Sequence, residues 1–379
     1  MKSILIYILL LEVLFSCREN NKRVKEDTLA DNTVVAADSV RFAQMFRIET
    51  FESYIRLIVI NPWNTNKILK TFILVPKNII LPKNLPEGEL IRTPLSRTVS
   101  FGSVQCSFFA EFEALETLVG VCEPQYLNIP FVHQAINEGK IADIGQAANP
   151  NLEKLMMIEP EAIFTAPIEE AVSERTKIVD IPTVECVDYM ETSPLGRAEW
   201  LRFYALFFEK REIADSLFAE TVEKYRTLQS LTANVEHHPT VFSETVYSGV
   251  WWLPGGNSYM AHFFKDAGAN YIWKDDKHTG SIGLSFESVL ENAENAEYWL
   301  VKYNSPYHLT KSQLAGENPN YALFNAYKNS NIYAVNTNKT LYYEELPIHP
   351  DNILRDLVMI FHKEILPDRS TKYFVKITE

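Results

Sequence analysis

The sequence predicts two α/β lobes with mostly parallel central sheets, joined by one long backbone helix and preceded by an N-terminal β-hairpin. Three observations carry this expectation. From Arg97 onward, short apolar runs alternate with segments whose apolar residues recur at three- and four-residue steps, the rhythm of a parallel sheet flanked by helices. The same rhythm restarts after Pro239. Between the two lies 194–236, which has no Gly or Pro after Gly196 and reads as helix throughout.

The chain has 379 residues, 46% of them hydrophobic, enough for one large domain or two medium ones. Its formal net charge is -13 and its basic residues form no stripe, so nucleic acid is not an expected partner.

Taken in order, residues 1–17 read as an export signal. Lys2 gives a basic start, and an apolar run from Ile4 to Leu11 follows, interrupted by Glu12. The run is too short to span a bilayer, which needs ~20 apolar residues. The stretch "LFSC" resembles a bacterial lipobox, which implies cleavage before Cys17 and lipidation of its sulfur. Residues 18–45 form an expected flexible tether, charged and without an aromatic through Val40. The folded part is therefore expected in the cell envelope, on the periplasmic side, held to a membrane by lipid.

The N-terminal lobe is expected over 46–193. It opens with a hairpin over 46–76, in which "YIRLIVI" and "TFILVP" are strands around the turn residues of "NPWNTNK". A Pro-rich connection follows. "TVSF", "VGV", "EPEAIFTA" and "IPTVECV" then supply strands, and "SVQCSFFAEFEALETL" and "NLEKLMMI" supply helices. The helical connection spans 194–238. Ser193 is placed to cap it, with Pro194 at the first helical position. Leu195, Trp200, Tyr204, Phe207 and Phe208 share one face, and Phe218, Val222 and Tyr225 continue the stripe. Unbroken, the helix would exceed about 55 Å, so a break is expected near Lys210–Glu212. The C-terminal lobe, 239–379, carries strands at "TVFSETVYS", "YWLVKY", "NIYAVN" and "KYFVKI". Its helices are expected at "NSYMAHFFKDAG", "LSFESVLEN" and "PDNILRDLVMIFHKEI". Of the three cysteines left, Cys106 and Cys122 are the closer pair; a bridge between them and three buried thiols both remain open.

Several stretches resemble the class III periplasmic substrate-binding proteins of ABC importers, the cobalamin, ferric-siderophore and haem receptors with a helical backbone. They are "RTVSFGSVQCSFFAEFEALETLVGV", "DIGQAANPNLEKLMMIEPEAIFTAP", "AGANYIW" and "LSFESVLENAENAEYWLV", spread over roughly 92–379. Glu116, Glu161 and Ala293–Ala296 depart from the family pattern at scaffold positions. The resemblance implies capture of an iron complex (siderophore or haem) between the lobes and delivery to an importer permease. A cobalamin receptor is the alternative, and an enzyme or chelatase-like protein on the same scaffold a third reading. It also implies one acidic docking residue per lobe, carried here by Glu169 or Glu170 and by Asp266.

Ligands in such folds bind outside the C-terminal ends of the strands. The loops there are rich in aromatics, whose flat faces suit a macrocycle or aryl chelate. The candidate ligand-binding residues are Phe108, Tyr126, Gln146, Tyr247, Trp251, Trp252, His278, Tyr307, Tyr342 and Tyr343. In "VWWLPGG" the two indoles would face opposite sides of a strand, so one is expected to pack and the other to meet ligand. The Gly pair is expected to let backbone approach the ligand. Lys277 and Lys302 are the only basic residues in these loops, which favours haem, cobalamin or a neutral hydroxamate over a catecholate. No H-x-x-x-H or C-x-x-C pair is present, so no metal site and no cofactor are expected. The absence of G-x-S-x-G, H-E-x-x-H and S-x-x-K argues against an enzyme, leaving Cys106 as the one conceivable nucleophile.

Overall fold

The computed structural model describes residues 36–37, 40–167, 180–367 and 369–379, and the elements below are those of the described residues. The signal segment with Cys17, most of the tether, and Glu169 and Glu170 lie outside them.

The chain enters through strands β1 (Ala36–Ala37), β2 (Phe46–Thr50), β3 (Ile55–Ile60), β4 (Ile68–Pro76) and β5 (Glu89–Thr93), which form one sheet in that order. The first four pair antiparallel and β5 runs parallel to β4. The expected hairpin is β3–β4, and it lies within a five-stranded sheet. Of the strands not expected, β2 and β5 interleave charge with apolar residues. In β2, Phe46 and Ile48 are buried while Arg47 is exposed. The inner face has no separate core, because Phe46, Leu57 and Phe72 join Phe108, Phe109, Phe164, Trp200 and Phe203 in one cluster.

The N-terminal lobe carries β6 (Thr98–Ser100), β7 (Leu118–Val121), β8 (Ala142–Asp143), a small hairpin of β9 (Gly145–Gln146) and β10 (Asn149–Pro150), then β11 (Ala162–Thr165) and β12 (Thr183–Glu185). Its sheet order is β12-β11-β6-β7-β8, parallel throughout. Helices α1 (Ser103–Glu111), α2 (Pro130–Asn137) and α3 (Leu152–Met157) complete the lobe.

The connection comprises α4 (Pro194–Ala198), α5 (Trp200–Leu206) and α6 (Arg211–Thr232). Ser193 caps it, accepting from the Gly196 amide at 3.0 Å, with Pro194 in the first turn. The break falls at 207–210, where Glu209 takes a left-handed φ of 56°. Beyond it the 22 residues of α6 make a rod about 33 Å long. Phe218, Val222 and Tyr225 bury its apolar stripe against the C-terminal lobe.

That lobe is built from β13 (Thr240–Ser243), β14 (Val246–Tyr247), β15 (Val250–Pro254), α7 (Tyr259–Asp266), β16 (Asn270–Tyr271), β17 (Ser281–Leu284), α8 (Phe286–Ala293), β18 (Tyr298–Tyr303), α9 (Lys311–Glu317), α10 (Asn325–Lys328), β19 (Ile332–Asn336), α11 (Tyr342–Glu345), α12 (Pro350–Phe361) and β20 (Phe374–Lys376). The main sheet runs β16-β13-β18-β19-β20, parallel except for β20. The strand order therefore reverses between β13 and β18, the kind of switch point where ligands enter open α/β sheets. An antiparallel sheet β14-β15-β17 covers the same end. Two contacts tie the lobes directly: His349 Nε2 lies 2.9 Å from Glu111 Oε1, and Asn128 donates to Glu344 at 3.0 Å.

Candidate ligand-binding cleft

A pocket of about 460 Å³ opens between the lobes, within the usual size of a small-molecule site. Its N-terminal-lobe wall is Tyr189, Met190 and Glu191, just beyond β12. Its C-terminal-lobe wall includes Glu244 just beyond β13, Lys302 on β18, Trp252 on β15, Tyr259 at the start of α7, and Thr279 to Ser281. Every wall is thus a strand end or the segment next to one. A larger groove, about 1110 Å³, lies beside α6 and α7 and includes His238 and Asn270, where β13 and β16 begin. It is on the wrong end of the sheet for a strand-end ligand.

The floor is fixed by buried hydrogen bonds. Asp188 accepts from Tyr204 Oη at 3.0 Å and from Arg197 Nε at 3.3 Å, and Arg197 lies 5.4 Å above the Tyr259 ring. Tyr189 donates to the Pro167 carbonyl. Glu191 accepts from the amides of Gln44 and Met45 and from Trp200 Nε1 at 3.0 Å. Burial pushes the Glu191 carboxyl up, against those donors. Glu199 accepts from the amides of Arg41, Phe42 and Ala43. Residues 40–45, assigned to the tether on composition, are thereby bolted to the cleft floor. Their backbone amides, rather than their side chains, are taken up by two buried carboxylates.

In "VWWLPGG", Val250–Pro254 is a strand that pairs with β14 on one side and β17 on the other. Alternation then decides the two indoles. Trp251 is fully buried among Phe242, Trp299 and Phe324, and its Nε1 donates to the Ser243 carbonyl at 2.9 Å. Trp252 is 50% exposed and lines the cleft. It lies across Gly283, where an added Cβ would meet the indole Cζ3 at 3.1 Å. The glycine pair, expected to let backbone approach a ligand, is packed closely against the backbone of the 273–280 loop. A Cβ on Gly256 would stand 2.4 Å from the Asp276 carbonyl oxygen and 2.5 Å from that of Trp273.

Three further expectations are corrected by burial. Phe108 is inside α1, stacked on Tyr204 at 4.5 Å, because its helix face turns to the sheet and not to the strand ends. Trp251 and Tyr342 are equally buried, the latter against Tyr373 and Phe374. None offers a free ring face. Asp266, half-buried at the end of α7, accepts from Tyr225 Oη at 2.6 Å and Gln229 Nε2 at 2.8 Å, which fix the position of its carboxylate. Tyr126, Gln146, Tyr247, His278, Tyr307 and Tyr343 are exposed and lie outside the wall of this pocket. His278 bonds Asp276 at 3.0 Å. Lys277 is also exposed and outside the wall. Sequence reading missed Tyr189, Glu191, Glu244 and Tyr259. Tyr189 and Glu191 follow the expected strand "IPTVECV", so extending the strand-end rule to "DYME" would have found them; Glu244 is hidden inside the expected strand "TVFSETVYS", which in fact ends at Ser243.

Chemically, the cleft offers an indole face, phenols, hydroxyls and one matched ion pair. Lys302 Nζ lies 2.5 Å from Glu244 Oε1. Burial works against the ammonium, but Glu244 beside it holds its pKa above the ordinary lysine value. Among the described residues no group of three His, Cys, Asp or Glu is placed to hold a metal ion. Cys106, Cys122 and Cys186 are free and buried. Burial pushes Cys106 and Cys122 up to about 12, which leaves them protonated and poor nucleophiles.

Residues 129–338, over half of the chain, match the family described as periplasmic binding protein. The chain belongs to that family. Similar curated proteins include an uncharacterized lipoprotein of Methanocaldococcus jannaschii, 26% identical over 343 residues, covering 84% of this chain and 81% of the relative. The fold of this periplasmic binding protein is similar to that of a periplasmic heme binding protein from Pseudomonas aeruginosa, with TM-score 0.57 and 15% identity over 75% of this chain and 99% of that one. It is also similar to Ceue from Helicobacter pylori, solved with Ni(II) bound, with TM-score 0.57 and 18% identity over 74% of this chain and 88% of that one. A quarter of this periplasmic binding protein lies outside the region shared with these structures.

Proposed function

We propose that this protein is a membrane-anchored substrate-binding protein that captures an iron complex, siderophore or haem, in its interlobe cleft and delivers it to an ABC importer. The observation that carries this reading is Trp252, half exposed beside Tyr259 at the strand-order switch of the C-terminal lobe. A flat, partly apolar chelate would cover that indole and so gain area burial and stacking. Membership of a solute-binding family supports a binding role over catalysis, as does the burial of the thiols. The lipoprotein relative supports anchoring through Cys17. Glu169 or Glu170 in the N-terminal lobe and Asp266 in the C-terminal lobe remain the proposed permease contacts. Cobalamin is the second reading, favoured by the matched Lys302–Glu244 pair, which suits an uncharged corrinoid.

Calorimetric and tryptophan-fluorescence titrations with haemin, a ferric tris-hydroxamate, a ferric tris-catecholate and cyanocobalamin test the reading. Saturable capture of at least one, weakened in Trp252→Ala, is expected. Capture of none of the four refutes it.

A further inference from the structure

We infer that Glu244 sets the charge selectivity of the cleft: by pairing with Lys302 it leaves the described wall residues without an uncompensated cation, so the cleft takes complexes of low negative charge. This rests on the receptor reading above and specifies the ligand class for the same site.

Lys302 is the one cation among the described residues of the cleft wall. Its ammonium is matched at 2.5 Å by Glu244, and both side chains keep only partial exposure, 25% and 19%. The other ionisable wall residue, Glu191, is acidic, and its oxygens already accept from Gln44, Met45 and Trp200. Arg197, beneath the floor, is held by Asp188. An anionic chelate entering here would find no free cation among the described wall residues and would face the carboxyl groups of Glu191 and Glu244.

The backbone marks Glu244 independently. It adopts φ +67° in the left-handed region, where a non-glycine residue is strained. Its amide donates to the Leu300 carbonyl at 2.8 Å and its carbonyl accepts from Trp299 Nε1 at 2.7 Å. These bonds hold the residue in a conformation its side chain disfavours, at the end of β13 facing β18. A salt bridge that merely joined two strands could sit on regular backbone. This one is carried on a strained turn at the point where the strand order reverses, and it ends in the pocket.

The test compares wild type, Glu244→Gln and Glu244→Gln/Lys302→Gln by titration with cyanocobalamin, ferric tris-hydroxamate, haemin and ferric tris-catecholate. Circular dichroism and thermal melting verify that each variant is folded. Wild type is expected to favour the uncharged complexes. Glu244→Gln is expected to shift the affinity ratio toward the anionic complexes by about tenfold or more, and the double variant to lose that shift. A purely structural pair would change stability and leave the ratio alone. Wild-type preference for the tris-catecholate, an unchanged ratio in Glu244→Gln, or continued exclusion of anionic complexes by that variant overturns the inference while the receptor reading stands. Capture of none of the four by wild type overturns both.

Discussion

Exchanging each indole of the Trp251–Trp252 pair for alanine should separate folding from binding. Trp251 is fully buried, with its ring centroid 5.8 Å from Trp299 and 5.7 Å from Phe324. Trp251→Ala removes that packing, at a cost of about 3–5 kcal/mol. It also leaves the Ser243 carbonyl without its indole donor, a further loss of about 1–3 kcal/mol. Against a typical total stability of about 5–15 kcal/mol, this variant should unfold at much lower denaturant or not fold at all. Trp252 is 50% exposed. A ligand that covers the remainder hides about 100 Å² of the roughly 150–250 Å² a large aromatic can bury. At about 25 cal/mol per Å² that contributes about 2.5 kcal/mol, so Trp252→Ala should weaken capture by about 10- to 70-fold while changing stability by about 1 kcal/mol or less. Urea unfolding followed by circular dichroism reads the first effect. Calorimetric titration with haemin, ferric tris-hydroxamate and cyanocobalamin reads the second. Wild-type stability in Trp251→Ala, or wild-type affinity in Trp252→Ala for whichever of these probes is captured, would refute the division of labour.

Gly256→Ala should destabilise by about 1–3 kcal/mol, because its Cβ would stand 2.4 Å from the Asp276 carbonyl oxygen and displace the loop that carries Thr279 to the cleft; an unchanged melting midpoint would contradict this close approach. The His349–Glu111 contact should make lobe coupling pH-dependent. Burial favours the neutral His349 ring, but the hydrogen bond and charge of Glu111 raise its pKa above the usual histidine value. The contribution is then fully present below the unfolded pKa of about 6.5 and lost as pH rises through the higher folded value. Comparing melting midpoints at about pH 6 and about pH 8, wild type should lose about 0.5–1 kcal/mol more than His349→Gln; parallel pH profiles would remove the contact from the account.

The main outline was readable from periodicity. The alternation of β-rich runs with helical stripes located the strands of both main parallel sheets except the short β8 and β16, and the apolar stripe through Trp200, Tyr204, Phe218 and Tyr225 located the backbone helix. These signals are local: each element must bury one face, and spacing shows which residues do so. Strands β2 and β5 escaped because their charges interrupt the apolar pattern, and the strap at 40–45 escaped because buried carboxylates far along the chain satisfy its backbone. Neither partner is adjacent in sequence.

The cleft divides in the same way. Sequence alone set two indoles on alternate sides of one short segment and identified Lys302 as a scarce cation. Only the tertiary structure decided that Trp251 fills the core and Trp252 the cleft, since that choice depends on which side β17 and Gly283 leave open. It also decided that Lys302 is already matched, by a glutamate 58 positions earlier, and that Phe108 and Tyr342 face inward. Periodicity tells a residue whether it has a buried side; what occupies that side is settled by segments that meet only when the chain folds.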